Sequence, residues 1–190
     1  QWAAVVFTPW RGDSEVQLMS LDGKNVQMYP TASEVRFSSS SAFALIKRVP
    51  AMALTDSLKL KKVKSDKMPM DELLIRNLKT GAEWKIDSLK GYKLAEEGDW
   101  VAYQRTRKKS ILEVVSLDGT NKYELASALA YGFAKERPVL YFVTKDTIGG
   151  MKPGMYIWKP ETPQPVLVKE GKGLFTQPAF DKTGDKLAFL

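Results

Sequence analysis

A ten-residue phrase that occurs four times constrains the fold more than any other feature of this sequence. Each copy has an apolar anchor residue, a polar turn and an apolar run that begins about seven residues after the anchor. The anchors are 57, 39 and 47 residues apart. A period of roughly 40 to 50 residues built from strand–turn units is typical of β-propellers. We therefore predict an all-β chain of successive four-stranded antiparallel sheets from the copies Phe37–Ile46, Leu94–Tyr103, Phe133–Phe142 and Phe180–Phe189.

The segments between the phrases also read as strands, because apolar and polar residues alternate with a period of two. The tetrapeptide Ser-Leu-Asp-Gly occurs at 20–23 and again at 116–119, and Asp-Gly is a strong hairpin signal. Counting strands predicts a partial unit of three, three units of four and a final unit of two, formed by 175–180 and 186–190. We interpret residues 1–190 as one partial β-propeller domain of about four blade-equivalents, cut from a larger protein.

Composition excludes several kinds of chemistry within the chain. It has 190 residues, of which 44% are hydrophobic, with no cysteine and no histidine. A Ser-His-Asp triad, thiol catalysis, cysteine-bound zinc and an ordinary transition-metal site are therefore excluded. We assign no catalytic, cofactor-binding or metal-binding residue and predict that this chain is not itself an enzyme. No apolar run approaches the 18 residues that would predict a membrane span.

One segment interrupts the strand rhythm. Residues 50–71 form a lysine-rich insertion where another unit has a short loop, and a long loop in a compact fold is usually functional or mobile. We expect either a short extended arm carrying Leu58, Leu60 and Val63 or a flexible linker loop without a partner.

The net charge of +7 raises the question of an anionic partner. Much of the excess falls in Lys59, Lys61, Lys62, Lys64 and Lys67, which are also explained as solvated loop lysines. Nucleic-acid binding is disfavoured, because the lysines lie in one loop rather than along a strand face with interleaved aromatic residues.

The insertion and the segment after it resemble the propeller of exported bacterial members of the prolyl oligopeptidase family of serine peptidases. The resembling stretches are Lys61–Asp71, Leu74–Gly81, Gly171–Gly173, Gln177–Asp181 and Gly184–Phe189. The lysine-rich run that ends in Met68-Pro69 is the most specific of them, since TolB-type propellers share the Asp-Gly and Leu-Ala-Phe phrases.

The resemblance implies a propeller that gates or orients peptide substrates for an α/β-hydrolase domain outside this chain. No Gly-x-Ser-x-Gly nucleophile elbow occurs in these 190 residues, so peptidase activity would belong to the parent protein. The implied partners are the remainder of the parent chain, with its hydrolase domain and other blades, and a peptide substrate. The implied location is periplasmic or exported.

Two other functions stay open. One is a TolB-like scaffold for protein–protein binding in the cell envelope. The other is an autonomous enzyme on a propeller, for which no paired acidic or lysine constellation stands out. Whether the chain is part of a ring or a ring closed without a covalent join, its terminal strands have unpaired edges, which permit self-association.

Several short motifs invite functional readings that ordinary structure explains better. Glu96-Glu97 matches a dipeptide with which dipeptidyl peptidases of the family bind a substrate amino group, yet it falls at the turn of the repeated phrase. Arg11-Gly12-Asp13 matches an adhesion tripeptide, but Gly-Asp is common turn chemistry.

The remaining motifs are weaker still. Asp181, Gly184 and Asp185 have too few acidic ligands for a calcium loop, and 149–154 lacks the Gly-Lys-Ser/Thr ending of a phosphate loop. The tryptophans at 84, 100 and 158 are expected to pack between blades rather than to form a ligand platform.

Overall fold

The computed structural model describes residues 1–106, 110–145, 150–171 and 175–190. Within these ranges nearly all regular structure is antiparallel β-sheet. The strands are β1 Trp2–Phe7, β2 Glu15–Ser20, β3 Val26–Pro30, β4 Ala32–Phe37, β5 Phe43–Arg48, β6 Asp71–Asn77, β7 Glu83–Leu94, β8 Trp100–Arg105, β9 Ile111–Ser116, β10 Lys122–Phe133, β11 Leu140–Thr144, β12 Gly154–Lys159, β13 Thr162–Glu170, β14 Ala179–Phe180 and β15 Leu187–Ala188. The helical elements are α1 Met52–Leu60 and a 3₁₀ turn at Ser65–Lys67.

The chain forms two compact units, and the first comprises residues 1–37 and 41–89. It contains two antiparallel sheets, which we call blades. Blade 1 is the three-stranded sheet β1–β2–β3. Blade 2 is formed by β4, β5, β6 and the part of β7 up to Leu89. A core of Val16, Leu18, Tyr29, Ala32, Ala44, Ile46 and Leu78 lies between these two blades.

The second unit comprises residues 38–40 and 90–190. Blade 3 contains the rest of β7, β8, β9 and the start of β10, whereas blade 4 contains the end of β10, β11, β12 and β13. Strand β10 serves both blades: it pairs with β9 up to Ser127 and with β11 from Ala128 onward. A single strand thus ends one blade and begins the next. The short pair β14–β15 forms a partial blade 5.

The four anchors of the repeated phrase occupy equivalent positions. Phe37, Leu94, Phe133 and Phe180 are the last residues of β4, β7, β10 and β14. In three copies the anchor is paired with the residue seven positions later, as Phe37↔Ala44, Phe133↔Leu140 and Phe180↔Leu187. The phrase is therefore the first hairpin of each blade. The predicted all-β architecture is confirmed, but the described residues form fifteen strands rather than the predicted seventeen, because β7 and β10 are each continuous where two strands were expected.

Two further details of the strand prediction differ. The last pair of strands is shorter than 175–180 and 186–190, although Thr176 and Leu190 still exchange both backbone hydrogen bonds, at 2.9 and 3.0 Å. Gln177 lies between that bridge and β14 with a φ of +51°, and this left-handed residue interrupts the ladder. The second difference is the helix in the insertion, described below.

The turn of blade 5 leaves no room for a side chain at Gly184. This residue has a φ of +77°, and a Cβ there would lie 2.9 Å from the Cβ of Ala134 in blade 4. We expect Gly184→Ala to lower the free energy of unfolding of the second unit by about 2 kcal/mol, from backbone strain and overpacking together. Urea unfolding followed by tryptophan fluorescence measures this.

Gly150 is the matched control, because it has a φ of +79° but no atom within 4 Å of the added Cβ. Gly150→Ala is expected to lower the free energy of unfolding by about 1 kcal/mol, from the strain of the positive φ alone. Equal losses in the two variants would show that the contact with Ala134 is not tight.

Candidate functional site

The candidate surface of the first unit is formed by two equivalent loops, one from each blade. Each loop joins the second and third strands of a full four-stranded blade; blade 1 has only three strands, so its β1 and β2 correspond to these two. In blade 1 this loop is 8–14, which connects β1 to β2, and in blade 2 it is the insertion between β5 and β6. The two loops are in contact, because Asp13 Oδ1 accepts a hydrogen bond of 2.7 Å from the backbone N–H of Met52. Asp13 of the Arg-Gly-Asp tripeptide therefore holds the start of α1.

The insertion is helical over Met52–Leu60, so the extended arm was wrong for this part. The flexibility of the segment stays a prediction. Its residues are mostly good helix formers, and Met52, Thr55 and Leu58 are half-buried on one side. Ala51 offers no capping side chain, which is why Asp13, 39 positions away in the sequence, supplies the acceptor.

The end of α1 lacks the glycine that usually marks a helix C-terminus. Lys62 adopts the left-handed conformation instead, with a φ of +53°. Its N–H bonds to the carbonyl of Lys59, and the N–H of Val63 bonds to that of Leu58. These bonds satisfy carbonyls that the last turn leaves free, and they turn the chain toward the 3₁₀ turn.

The insertion presents its lysines to solvent. Between Met52 and Met68 the sequence has five lysines and two aspartates, and all five lysines are exposed. Lys59 is 3.8 Å from Asp56. The other four, Lys61, Lys62, Lys64 and Lys67, have no ion-pair partner among the described residues. Four of the five lysine charges are therefore not neutralised by an ion pair within the described part of the chain.

Beneath the insertion lies a small groove of about 270 Å³. Its wall includes Arg48 and Glu72, whose side chains form an ion pair of 2.8 Å across β5 and β6. Arg48 also donates to the carbonyl of Pro30 at 3.1 Å. Its side chain therefore connects the end of β3 in blade 1 with β5 and β6 in blade 2. The remaining wall is Thr31, Val49, Pro50, Ala51, Leu54, Pro69 and Met70.

Loss of the Asp13 carboxylate is expected to loosen α1 without unfolding the blades. An N-terminal acceptor is worth about 1 kcal/mol, so Asp13→Ala should speed amide exchange of the first turn of α1 by about fivefold. Hydrogen exchange measured residue by residue tests this. Asp66→Ala is the control, because Asp66 is an exposed carboxylate of the same insertion; an equal effect there would exclude a specific cap.

A larger depression of about 560 Å³ occurs elsewhere on the first unit, and it is lined by the strand-end residues Trp2, Leu21, Phe37 and Leu78 with Gln1, Ser41, Ala42 and Lys79. It contains one charged side chain, Lys79, and no acidic group among these residues. The lining therefore offers apolar contact but no acid–base pair.

The dipeptide Glu96-Glu97 and the Asp181 loop are turns, as the sequence indicated. Both glutamates are exposed between β7 and β8. Asp181 Oδ1 accepts the backbone N–H groups of Asp185 at 2.9 Å and Lys186 at 3.0 Å. Hydrogen bonds from the backbone of Lys186 and from Thr183 hold the pKa of Asp181 below its ordinary value. Gly149 of the 149–154 motif lies outside the described residues.

The tryptophans of the second unit pack between its blades. Trp158 is fully buried. Its ring lies edge-on to Trp100, with centroids 5.3 Å apart, and 5.5 Å from Tyr123. Trp84 is half-buried in β7 of the first unit.

Two tyrosine–glutamate clusters escaped the sequence analysis. In the second unit Tyr103 donates to Glu113 at 2.7 Å, and Lys122 lies 2.6 Å from the same carboxylate. In the first unit Tyr29 donates to Glu83, which also pairs with Arg76. Burial, followed by the hydrogen bond to glutamate, raises the pKa of both tyrosines, so the phenols stay protonated donors. The partners come from different strands, so no local motif marks them.

The described part of the chain contains neither a candidate metal site nor a membrane-spanning helix. The described ranges contain no group of three His, Cys, Asp or Glu side chains arranged to hold a metal ion. In the same part of the chain, no helix is sufficiently long and apolar to cross a membrane.

No protein-family model matches the chain, and no curated protein matches it. Solved structures do. A prolyl endopeptidase structure is similar over 99% of this chain and 30% of its own, with a TM-score of 0.55 and 11% identity. The tricorn protease is similar over 92% of this chain and 17% of its own, with a TM-score of 0.53 and 12% identity.

The β-propeller domain of the Trilobed protease from Pyrococcus furiosus covers 89% of this chain, which spans 53% of it, with a TM-score of 0.49 and 11% identity. The chain thus spans between about a sixth and about half of the length of these structures. At such identities the likeness to the prolyl endopeptidase and the tricorn protease establishes the fold alone: this chain is an all-β protein with a β-propeller-like fold.

Proposed function

We propose that this chain is a non-catalytic propeller segment of a prolyl-oligopeptidase-like serine peptidase, and that it gates or orients peptide substrates for a hydrolase domain outside these residues. The observation that carries the proposal is the match to a prolyl endopeptidase over 99% of this chain but only 30% of that protein. The absence of histidine and cysteine from the sequence supports a division of labour, because a triad needs a histidine that this chain does not have.

The partners that follow from this proposal are the hydrolase domain, the other blades and a peptide. A periplasmic or exported location belongs to the same proposal, as does pairing between copies through open strand edges such as that of β1. Strand β1 is an edge of its sheet, and Val5, Val6 and Phe7 on it are exposed.

A fluorophosphonate probe, which labels activated serines, tests whether a serine hydrolase domain accompanies this chain. We expect labelling of a longer polypeptide that contains this chain and the natural sequence following Leu190, and no labelling of residues 1–190 alone. A gating propeller also predicts that the longer protein cleaves short peptides faster than unfolded proteins, and that this preference shrinks when the propeller is deleted.

Failure of labelling in the longer polypeptide, or a reading frame without a Gly-x-Ser-x-Gly elbow after Leu190, would contradict the proposal. That result would favour a TolB-like scaffold for protein–protein binding. Hydrolysis by residues 1–190 that persists through several purification steps would instead support an autonomous enzyme.

A further inference from the structure

Large apolar side chains project into solvent from the two loops that Asp13 joins. Trp10, in loop 8–14, is 105% exposed, and Leu60, at the end of α1, is 84% exposed. Phe7 and Leu54 are also exposed, at 60% and 49%. An exposed Trp is uncommon on a soluble surface and is typical of binding interfaces. We call loop 8–14 with Phe7 and residues 52–67 the basic loop surface.

The same surface carries five lysines, of which four have no ion-pair partner among the described residues. Lys59 and Lys61 flank Leu60 directly and Lys62 follows, while Lys64 precedes the short 3₁₀ turn and Lys67 ends it. Arg11 is exposed beside Trp10. In both loops, therefore, exposed apolar and cationic side chains are neighbours in the sequence.

The two loops that carry these groups are connected at the start of α1. The hydrogen bond from Met52 to Asp13 joins loop 8–14 to the start of α1. A nine-residue helix is about 13 Å long, so Leu60 and its lysines lie about that distance from the joint. Trp10 lies in the other loop, three residues before Asp13.

We propose that the basic loop surface attaches the protein peripherally to a lipid bilayer that contains anionic lipids. Lysine clusters beside exposed apolar residues suit such a surface, because the ammonium groups are attracted by anionic headgroups while Trp and Leu enter the interface. Five of the six cations on this surface are lysines and one is Arg11, whereas recognition of carboxylates or phosphates on a specific partner favours the arginine fork.

Vesicle co-sedimentation of residues 1–190 tests the proposal. We expect binding to vesicles of equal parts phosphatidylglycerol and phosphatidylcholine, and not to phosphatidylcholine alone. Replacing Lys61, Lys62, Lys64 and Lys67 with serine should weaken binding about 100-fold or more. The matched control replaces Lys24, Lys79, Lys93 and Lys159, which are exposed lysines outside this surface, and it should bind nearly as tightly as the parent protein.

Trp10 provides a second readout. We expect its fluorescence to shift to the blue on addition of the anionic vesicles, and Trp10→Phe to abolish that shift while the other four tryptophans keep their emission. About 1 M salt, at which the Debye length is about 3 Å, should release the protein. Circular dichroism confirms that the variants are folded.

Any of three outcomes would overturn the proposal: no binding to anionic vesicles, equal binding to neutral vesicles, or equal loss in the control lysine variant. Tight binding to single-stranded DNA or to polyglutamate together with no vesicle binding would assign the surface to a nucleic acid or an acidic protein instead. These outcomes are separate from the peptidase proposal, because none of them depends on a hydrolase domain.

Discussion

Replacing Trp158 with alanine is expected to lower the free energy of unfolding of the second unit by about 3–5 kcal/mol, the cost of deleting a large aromatic side chain from a core. Trp158 is completely buried between blades 3 and 4. It packs against Trp100 and Tyr123 and lies in the same core as Leu140 and Phe142. Alanine would leave a cavity that these rigid strands cannot close.

Packing rather than hydrogen bonding accounts for this cost. Among the described residues the indole Nε1 of Trp158 has no hydrogen-bond partner. Trp158→Phe should therefore lose only part of the contact area, about 1–2 kcal/mol. Trp10→Ala is the exposed control and should change stability by less than about 0.5 kcal/mol. Urea unfolding measures all three variants, and a loss below about 1 kcal/mol for Trp158→Ala would mean that blades 3 and 4 do not share this core.

Removal of the Glu113 carboxylate is the second large effect, and we expect Glu113→Ala to lower the free energy of unfolding by about 2–4 kcal/mol. Glu113 is 7% exposed and accepts from Tyr103. It also pairs with Lys122 at 2.6 Å and Arg105 at 3.2 Å. Without this carboxylate, the buried phenol of Tyr103 and the cations of Lys122 and Arg105 lose their common acceptor. The resulting loss of stability is larger than the net stability that the intact cluster contributes, because a buried polar group is left unpaired.

Glu124→Ala is the matched control, because Glu124 is an exposed glutamate that lies 3.9 Å from the same Lys122. A surface pair of this kind contributes less than about 0.5 kcal/mol. Similar losses in the two variants would show that the cluster around Glu113 is not formed in solution.

The cluster also predicts a pH dependence. Burial raises the pKa of Glu113, but hydrogen bonds from Lys122 and Tyr103 lower it more, so it lies below its ordinary value. The stability that ionised Glu113 contributes is therefore complete above pH of about 4.5, and it is lost as the pH falls through the lower pKa of the folded state. Unfolding measured from neutral to acidic pH should show Glu113→Gln differing from the parent protein by a constant amount above this range and converging with it below. A difference that grows as the pH falls would contradict this assignment.

The sequence predicted the blades because their signals are local. The anchor phrase specifies a hairpin by a seven-residue register, and the Ser-Leu-Asp-Gly turns repeat one hydrogen-bond pattern: Asn25 bonds to Ser20 Oγ, and Asn121 bonds to Ser116 Oγ, both at 3.0 Å. The sequence pattern predicted two strands where β7 and β10 are each one long strand. Each of them ends one blade and begins the next, and the alternation of apolar and polar residues does not show where the neighbouring strand changes.

Helix α1 and the glutamate clusters were beyond sequence reasoning for the opposite reason. The acceptor at the start of α1 comes from Asp13 in another loop, and its end uses Lys62 where glycine is usual. Glu113 and Glu83 look like exposed strand residues, and only strand pairing brings Tyr103 and Tyr29 to them. Tertiary contacts decide both features.

Backbone NOE spectroscopy on residues 1–190 shows whether the repeated phrase forms the first hairpin of successive four-stranded blades. We expect cross-strand contacts for Phe37–Ala44, Phe133–Leu140 and Phe180–Leu187, with β10 contacting β9 through its first half and β11 through its second. Helical contacts across these segments, or anchors without partners seven residues away, would contradict this arrangement.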